Sequence, residues 1–177
     1  TNKKVMLFVH TFNKCRGADI LSLIAQKIKA QNLDILIVAI GRSGDYSFSL
    51  KQEIDEYKLQ DCLLNLGQIA NKDIDKYYKV ADLFIMPSRG EGFPRVLLEA
   101  MACGKPLVLS NIEPHQEMIN ISKAGKIFSK SNPEEILTVV SEVFQDQKSL
   151  GTLGRKFTVA HDWSIISKQM AEIFESV

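Results

Sequence analysis

The sequence predicts a doubly wound α/β domain, in which helices cover both faces of a parallel β-sheet. Two observations lead to this fold class. Short, unbroken apolar segments recur along the chain, and segments with helical periodicity separate them. Parallel strands are buried on both faces and need helical crossovers to connect them, so they produce this alternation. A chain of 177 residues has the length of one such domain.

Five apolar segments are expected to form the main strands of the sheet. They lie at 5–9, 35–40, 62–66, 83–86 and 106–110. Each is shorter than an ordinary helix and runs into a polar or turn-forming segment, which favours strands. A further short strand is expected at 125–129, in the sequence "GKIFS".

The helix that follows the first strand carries the clearest periodic signal. Within "GADILSLIAQKIKAQ", Leu21, Ile24, Ala25 and Ile28 have the i, i+3, i+4, i+7 spacing of one helical face. Weaker versions of the same pattern predict further helices at 53–59, 73–81 and 113–119.

After the fifth strand the chain is expected to become mostly helical. Asn132 has the residue type of an N-cap, and Pro133 after it suits the first helical position of a helix over 132–146. A final amphipathic helix is expected over 162–177. No internal domain boundary is predicted.

Composition excludes several classes of protein. The formal charge is +1, from 22 Lys and Arg against 21 Asp and Glu, without the basic runs that bind nucleic acid. The apolar runs are far shorter than the roughly 20 residues that a membrane-spanning helix needs. The three cysteines are not paired as C-x-x-C, so we expect no disulfide framework, no metal site and a reducing, cytoplasmic setting.

The ligand is expected at the carboxyl ends of the strands, where doubly wound sheets bind their ligands. The loops in question are 10–17, 41–45, 67–71, 87–93 and 110–117. The "GRSG" sequence in the second loop matches neither G-x-G-x-x-G nor a P-loop. An ordinary dinucleotide site and a kinase-like phosphate loop are therefore disfavoured.

The fourth loop, within "PSRGEGFPRVLLEAMACGKPLV" (87–108), carries the strongest signal for a ligand. Gly90 and Gly92 allow close approach of a ligand to the backbone, and Pro94 suits the first turn of a helix that ends at Gly104. The amides at 93–96 can point at phosphate.

Two arginines and two glutamates surround this predicted helix N-terminus. Arg89 and Arg95 are expected to make it electropositive, so that Glu91 and Glu99 can serve as hydroxyl acceptors without expelling a phosphate. Ribose and sugar hydroxyls are natural donors to such carboxylates. The alternative is that both are solvated glutamates, which is the common fate of a single glutamate.

Together these residues resemble the retaining glycosyltransferases of the GT-B fold, in the family numbered four and also called glycosyl transferases group 1. The motif is Glu91-x7-Glu99 within "ADLFIMPSRGEGFPRVLLEAMACGKPLVLS". The resemblance extends over nearly the whole chain, and includes "AIGRSGD" (39–45) and "EMINISKAGKIFSKSNPEEIL" (117–137). It implies a Rossmann-like C-terminal half, spanning 1–177, that binds a nucleotide-diphosphate sugar.

The resemblance also assigns roles to residues of the fourth loop and helix. Glu99 would accept hydrogen bonds from ribose hydroxyls, and Glu91 would face the transferred sugar near its anomeric end. Backbone groups along the same segment would meet sugar or diphosphate oxygens. The donor-binding residues of this segment would be Gly90, Gly92, Phe93, Arg95 and Val96.

The first loop should supply the cations that bind the diphosphate, because the family offers an Arg and a Lys there and needs no metal. The Lys position corresponds to Arg16, before Gly17. The Arg position holds Thr11, unless a shifted alignment lets Lys14 serve. Ile69 would lie near the nucleobase, with its backbone reading the base.

The family further implies what the chain works with. A complete member has two Rossmann-like domains, so we expect an N-terminal acceptor domain beyond this chain and no transfer by this chain alone. The acceptor would be a glycan or a lipid-linked glycan, in polysaccharide or lipopolysaccharide biosynthesis, with the parent enzyme cytoplasmic or peripheral at the inner membrane face. No cofactor is expected.

Two other readings of the residues stay open. A GT-B sugar-nucleotide epimerase or a phosphorylase would differ at the glutamate pair, and the phosphorylase would need a lysine-bound pyridoxal cofactor. A flavodoxin-like or receiver-like binding module would not use Glu99. A receiver needs a phosphorylatable Asp at a strand end, whereas the strands here end in His10, Ile40, Leu66, Met86 and Ser110.

Overall fold

A computed structural model describes residues 3–129 and 132–175 and confirms the expected fold class. Six strands and eight α-helices alternate for most of the described chain. The strands are β1 (Lys4–Val9), β2 (Ile35–Ile40), β3 (Leu63–Gly67), β4 (Leu83–Met86), β5 (Leu107–Ser110) and β6 (Gly125–Phe128). The helices are α1 (Ala18–Ala30), α2 (Ser47–Glu56), α3 (Ile74–Val80), α4 (Arg95–Ala102), α5 (Glu113–Ser122), α6 (Pro133–Gln145), α7 (Gln147–Ala160) and α8 (Trp163–Glu175).

The six strands form one parallel sheet with the order β3-β2-β1-β4-β5-β6. This is the strand order of Rossmann-like folds. The second and third strands lie on one side of the first strand, and the later strands lie on its other side. Here β1 pairs with β2 on one side and with β4 on the other. The loops after β1 and β4 therefore diverge above the same point and leave a crevice between them.

Two apolar layers sandwich the sheet, as expected for a doubly wound fold. Along β1, Met6 and Phe8 face a layer formed with α1, α2 and α6, while Leu7 and Val9 face a layer formed with α3, α4 and α5. All four side chains are buried. The alternation follows from the two-residue repeat of a strand, and both faces being apolar explains the unbroken hydrophobic runs in the sequence.

The helix after β2 lies further toward the N-terminus than the predicted segment 53–59. It spans Ser47–Glu56 and buries Leu50 and Ile54, which are one helical turn apart. The left-handed conformation of Lys58 follows its end, and Leu59 is buried in the turn that leads to β3. Apolar Leu59 therefore belongs to the core but not to the helix.

Helix α7 is absent from the sequence prediction because two glycines interrupt its pattern. A Cβ atom on Gly151 would lie 2.2 Å from the carbonyl oxygen of Gly104, and one on Gly154 would lie 3.0 Å from the Met101 side chain. The glycines thus allow α7 to approach α4 closely, although glycine disfavours helices locally.

The final helix, α8, spans Trp163–Glu175, so residues 176–177 of the predicted segment 162–177 lie outside the described residues. Across the described ranges, no helix is both long enough and apolar enough to cross a bilayer.

Candidate functional site

A cleft of about 450 Å³ lies at the carboxyl ends of β1 and β4, in the crevice set by the strand order. Nine of the eleven residues predicted for the site line it, all except Lys14 and Gly90: Thr11, Arg16, Ile69, Glu91, Gly92, Phe93, Arg95, Val96 and Glu99. A wider concavity of about 760 Å³ runs along α6 and α7, away from the strand ends. Because doubly wound sheets bind ligands at strand ends, the smaller cleft is the candidate site.

Close packing joins the three loops that follow β1, β2 and β4, which carry residues of this cleft. Gly17 has a φ of 75°, and a Cβ atom there would lie 2.2 Å from the carbonyl oxygen of Pro87. At Gly41 a Cβ atom would lie 1.6 Å from the carbonyl oxygen of His10. The backbone amide of Arg89 donates to the carbonyl oxygen of Cys15 at 2.7 Å. Glycine at these positions therefore lets the loops after β1, β2 and β4 touch.

Glu91 is a carboxylate held almost out of solvent by three neighbours. Its side chain is 4% exposed, and its Oε2 lies 2.5 Å from Nη1 of Arg16. Its Oε1 accepts a hydrogen bond from Oγ of Ser88 at 2.8 Å. Nε2 of His10 lies 3.6 Å from the same Oε1. Glu91 is thus a positioned group, which contradicts the alternative of a solvated loop glutamate.

Glu99 projects from α4 into the same cleft and is fixed from a neighbouring helix. The hydroxyl of Tyr78, on α3, donates to its Oε2 at 2.8 Å. Burial and the nearby Glu99 charge raise the pKa of Tyr78 far above its ordinary value, so the hydroxyl keeps its proton. One carboxylate oxygen of Glu99 therefore has a fixed protein donor, and the other is available to a ligand.

The N-terminus of α4 opens toward this cleft. Gly92, Phe93, Arg95 and Val96 line it, and the helix begins at Arg95 without a side-chain cap. The first amides of a helix have no intrahelical acceptors. A Cβ atom on Gly92 would meet no atom within 4 Å. The space over this segment is therefore open to a ligand.

Arg16 is the cation that the first loop brings to the cleft. Its guanidinium contacts both Glu91 and the carbonyl oxygen of Gly90. Thr11 lines the cleft beside it. Lys14 does not line the cleft, because its ammonium group lies over the Tyr46 ring, 5.7 Å from the ring centre.

Arg89 does not make the helix N-terminus electropositive, contrary to the sequence expectation. Its guanidinium donates two hydrogen bonds of 2.7 Å to the carboxylate of Asp19 on α1 and another to the carbonyl oxygen of Lys14. It ties two loops together instead. Arg42, from the "GRSG" loop, lines the cleft and adds a cation that the sequence analysis did not single out.

The far end of the cleft is formed by the loop after β3. Ile69 is half-buried there, next to Gln68 and Asn71 of the same loop. These residues lie on the β3 side of the cleft, whereas Glu91 and Arg16 lie near β1 and β4. The cleft thus has a mixed polar and apolar end and a charged end.

A chain of buried polar groups behind Glu91 also escaped the sequence analysis. Oγ of Ser110 donates to the carbonyl oxygen of Ser88 at 2.5 Å, and Nδ1 of His115 lies 3.1 Å from Oγ of Ser110. Ser110 uses its one hydroxyl proton in the bond to Ser88. The contact between Ser110 and His115 therefore needs its proton on Nδ1 of His115. Burial lowers the pKa of His115, which keeps the ring neutral. These side chains hold Ser88 in place, and Ser88 in turn donates a hydrogen bond to Glu91.

The chain matches a family model described as glycosyl transferases group 1 over residues 1–157. It is 24% identical over 177 residues to an uncharacterized glycosyltransferase of Methanocaldococcus jannaschii, covering 97% of this chain and 48% of the relative. It is 27% identical over 179 residues to phosphatidyl-myo-inositol mannosyltransferase of Mycolicibacterium smegmatis, covering 98% and 45%. The chain spans about half the length of these relatives.

Solved structures show the same fold. Sucrose-phosphate synthase of Thermosynechococcus elongatus has a TM-score of 0.82 at 25% identity, covering 99% of this chain and 45% of that one. Anabaena HepE in complex with UDP has a TM-score of 0.84 at 22% identity, covering 99% and 50%. The Rossmann-like sheet, the paired glutamates and the match over 157 residues lead to one conclusion. The chain belongs to the glycosyl transferases group 1 family.

Proposed function

We propose that this chain is the donor-binding half of a retaining glycosyltransferase that uses a nucleotide-diphosphate sugar. The observation that carries the proposal is that Glu91, Glu99 and Arg16 meet in one cleft at the N-terminus of α4. This combination suits a ligand that has hydroxyl groups and phosphates. Carboxylates accept hydrogen bonds from hydroxyls, whereas a guanidinium and free helix amides bind phosphate.

We propose one orientation for the donor in the cleft. The base would lie beside Ile69, at the β3 end, and the ribose hydroxyls would donate to Glu99. The diphosphate would lie across the N-terminus of α4, near Arg16, and the transferred hexose would reach Glu91. HepE, whose fold is similar, was solved in complex with UDP, which supports a nucleotide in a fold of this kind.

Leaving-group stabilisation is the chemical contribution that these residues can make. As the bond between the sugar and the diphosphate breaks, negative charge builds up on the phosphate oxygens. A positioned guanidinium and helix amides stabilise that charge, because they are already oriented when it develops. We assign this role to Arg16 and the amides, because both lie at the charged end of the cleft.

Transfer itself belongs to the longer protein of this proposal. The acceptor hydroxyl, of a glycan or a lipid-linked glycan, would be bound by a second domain facing this cleft. We expect the chain alone to bind donor without transferring sugar. Any association of the parent enzyme with a membrane would also depend on that other half.

Calorimetric titration with UDP, GDP and ADP tests the proposal directly. At least one of these diphosphates should bind, and Glu99→Gln should weaken that binding about 10-fold, because a neutral amide is a poorer acceptor for ribose hydroxyls. Glu142→Gln, on the surface of α6, is the matched control and should bind like the wild type. If none of the three diphosphates binds the wild-type chain, the proposal is wrong.

A further inference from the structure

The charged end of the cleft contains few free donors for a diphosphate. Within the described chain, Arg16 is the one cationic side chain that the loop after β1 contributes to the cleft lining. Its guanidinium is already engaged by Glu91 and by the carbonyl oxygen of Gly90. Thr11, on the same loop, has no charge. A further donor at this end would therefore make a difference to phosphate binding.

His10 presents such a donor, and the structure fixes which nitrogen carries it. The backbone amide of Thr11 donates to Nδ1 of His10 at 2.8 Å. A nitrogen that accepts a hydrogen bond has no proton, so the proton of the neutral ring is on Nε2. Nε2 points into the cleft lined by His10, Arg16 and Glu91.

The Nε2 proton is not used within the described part of the chain. Oε1 of Glu91 lies 3.6 Å from Nε2, which is too long for a hydrogen bond. That oxygen already accepts from Ser88. The side chain of His10 is 20% exposed, so a ligand in the cleft can reach it, and the contact of Nδ1 with the Thr11 amide orients the ring.

The surroundings keep this ring neutral. Burial lowers the pKa of His10, and the charges of Arg16 and Arg42 lower it further, although Glu91 acts in the opposite direction. Protonation would also place a hydrogen on Nδ1, facing the amide hydrogen of Thr11. The ring therefore works as a neutral, oriented N–H donor between a carboxylate and two guanidinium groups.

We propose that His10 is a donor-binding residue, whose Nε2–H donates to an oxygen of the sugar-bearing phosphate of the nucleotide-diphosphate sugar. The inference rests on the proposed function. Glu91 and Glu99 take the hydroxyl groups of the ligand, while Arg16 and Arg42 line the same cleft and their positive charges act on the His10 ring. An anionic oxygen is the acceptor that suits a neutral N–H donor in a cleft lined by two guanidinium groups.

Two substitutions test the Nε2–H donor of His10 separately from the contact of Nδ1 with the Thr11 amide. Asn at position 10 can keep an oxygen where Nδ1 accepts from Thr11, but has nothing at the position of Nε2. Gln places an amide N–H near the position of Nε2 and gives up the Nδ1 contact. His10→Asn should therefore weaken UDP, GDP or ADP binding about 10-fold, and His10→Gln should restore most of it.

The monophosphates provide the discriminating measurement. The affinity for UMP, GMP or AMP should not change in His10→Asn, because the sugar-bearing phosphate is missing from these ligands. Equal losses for diphosphate and monophosphate, or no loss in His10→Asn, would overturn the assignment of His10 while leaving the proposed function intact. So would a His10→Gln variant that binds as weakly as His10→Asn. Failure of the wild type to bind any diphosphate would instead refute the proposed function.

A spectroscopic readout does not depend on the variants folding. Long-range ¹H–¹⁵N spectra of the wild-type chain should show the Nε2–H tautomer of His10, and its Nε2 resonance should shift on addition of the diphosphate but not of the monophosphate. A spectrum with the proton on Nδ1, or an unmoved Nε2 resonance at saturation, would contradict the proposal.

Discussion

The hydroxyl of Tyr78 lies 2.8 Å from Oε2 of Glu99, so a residue of α3 orients a carboxylate that α4 carries. Tyr78 is 2% exposed, and its hydroxyl reaches the cleft edge from inside the core. The contact leaves the second oxygen of Glu99 available to a ligand. It also makes the geometry of this cleft depend on how two helices pack on one face of the sheet.

Tyr78→Phe should therefore weaken binding of the nucleoside diphosphate about 5-fold, because an unoriented carboxylate must be ordered by the ligand. The free energy of unfolding should fall by only about 1 kcal/mol, since water can replace the lost donor at the exposed Glu99. Calorimetry and denaturant unfolding measure the two effects.

Tyr77→Phe is the matched control, because it removes a hydroxyl one residue earlier on the same helix and leaves the hydrogen bond from Tyr78 to Glu99 in place. It should leave the affinity unchanged. Equal affinities for Tyr78→Phe and the wild type would show that the contact with Glu99 has no role in binding.

The sequence predicted the strands, the loop that carries Glu91 and the helix that carries Glu99, because unbroken apolar runs and a motif with fixed spacing are local features. Contacts between distant elements were not predictable in this way. Tyr78 lies 21 positions before Glu99 and was only one residue of the predicted helix 73–81. His10 and Arg42 belong to different loops, and only the strand order brings them to one cleft.

Helix α7 shows a second limit of sequence reasoning. Gly151 and Gly154 lower local helix propensity, so the pattern did not predict a helix there. The glycines are needed for tertiary packing, because they allow close contact of α7 with Gly104 and Met101. Arg89 is the converse case: its position beside the motif predicted an electropositive helix N-terminus, but Asp19 from α1 binds it.

The pair formed by Arg16 and Glu91 should contribute more to folding than an exposed ion pair. A double-mutant cycle with Arg16→Gln and Glu91→Gln should give a coupling of about 1–2 kcal/mol in denaturant unfolding, because the 4% exposed carboxylate of Glu91 is left with one donor fewer when Arg16 is replaced.

The surface pair of Lys126 and Glu142 is the control cycle for this measurement. Its atoms lie 2.6 Å apart, but the two side chains are 43% and 47% exposed. Solvent screening should reduce its coupling to about 0.5 kcal/mol or less. Similar coupling in the two cycles would mean that burial does not strengthen the contact of Arg16 with Glu91.

Buried His115 should make stability depend on pH. Burial lowers its pKa in the folded chain below the ordinary value of 6.5, although the hydrogen bond with the Ser110 backbone and the charge of Glu91 act in the opposite direction. Below pH 6.5 the unfolded chain binds a proton that the folded chain does not, so stability is complete above pH 6.5 and is lost as the pH falls toward the lowered pKa.

His115→Leu removes this contribution. Its deficit in the free energy of unfolding, measured in denaturant at pH 7.5, should shrink at pH 5.5 by at most about 1.4 kcal/mol for each pH unit below 6.5. Between pH 7.5 and 8.5 the deficit should be constant, because the ring is neutral in both states. A deficit that stays the same at pH 5.5 would mean that His115 binds protons equally in the folded and unfolded chains.

Alanine at Gly17 or Gly92 should separate the two uses of glycine around the cleft. At Gly17, with φ of 75°, a Cβ atom would lie 2.2 Å from the Pro87 carbonyl oxygen, whereas at Gly92 it would meet nothing within 4 Å. Gly17→Ala should therefore lower the free energy of unfolding by about 2 kcal/mol or more. Gly92→Ala should leave it within about 0.5 kcal/mol of the wild type.

If the donor lies in the open space over Gly92, Gly92→Ala should have the larger effect on ligand binding. Gly92→Ala should then weaken the nucleoside diphosphate at least about 10-fold, since a methyl group would stand between the ligand and the backbone. Calorimetry on the well-folded variant measures this without interference from stability. A Gly92→Ala chain with wild-type stability and wild-type affinity would place the diphosphate elsewhere in the cleft, away from the N-terminus of α4.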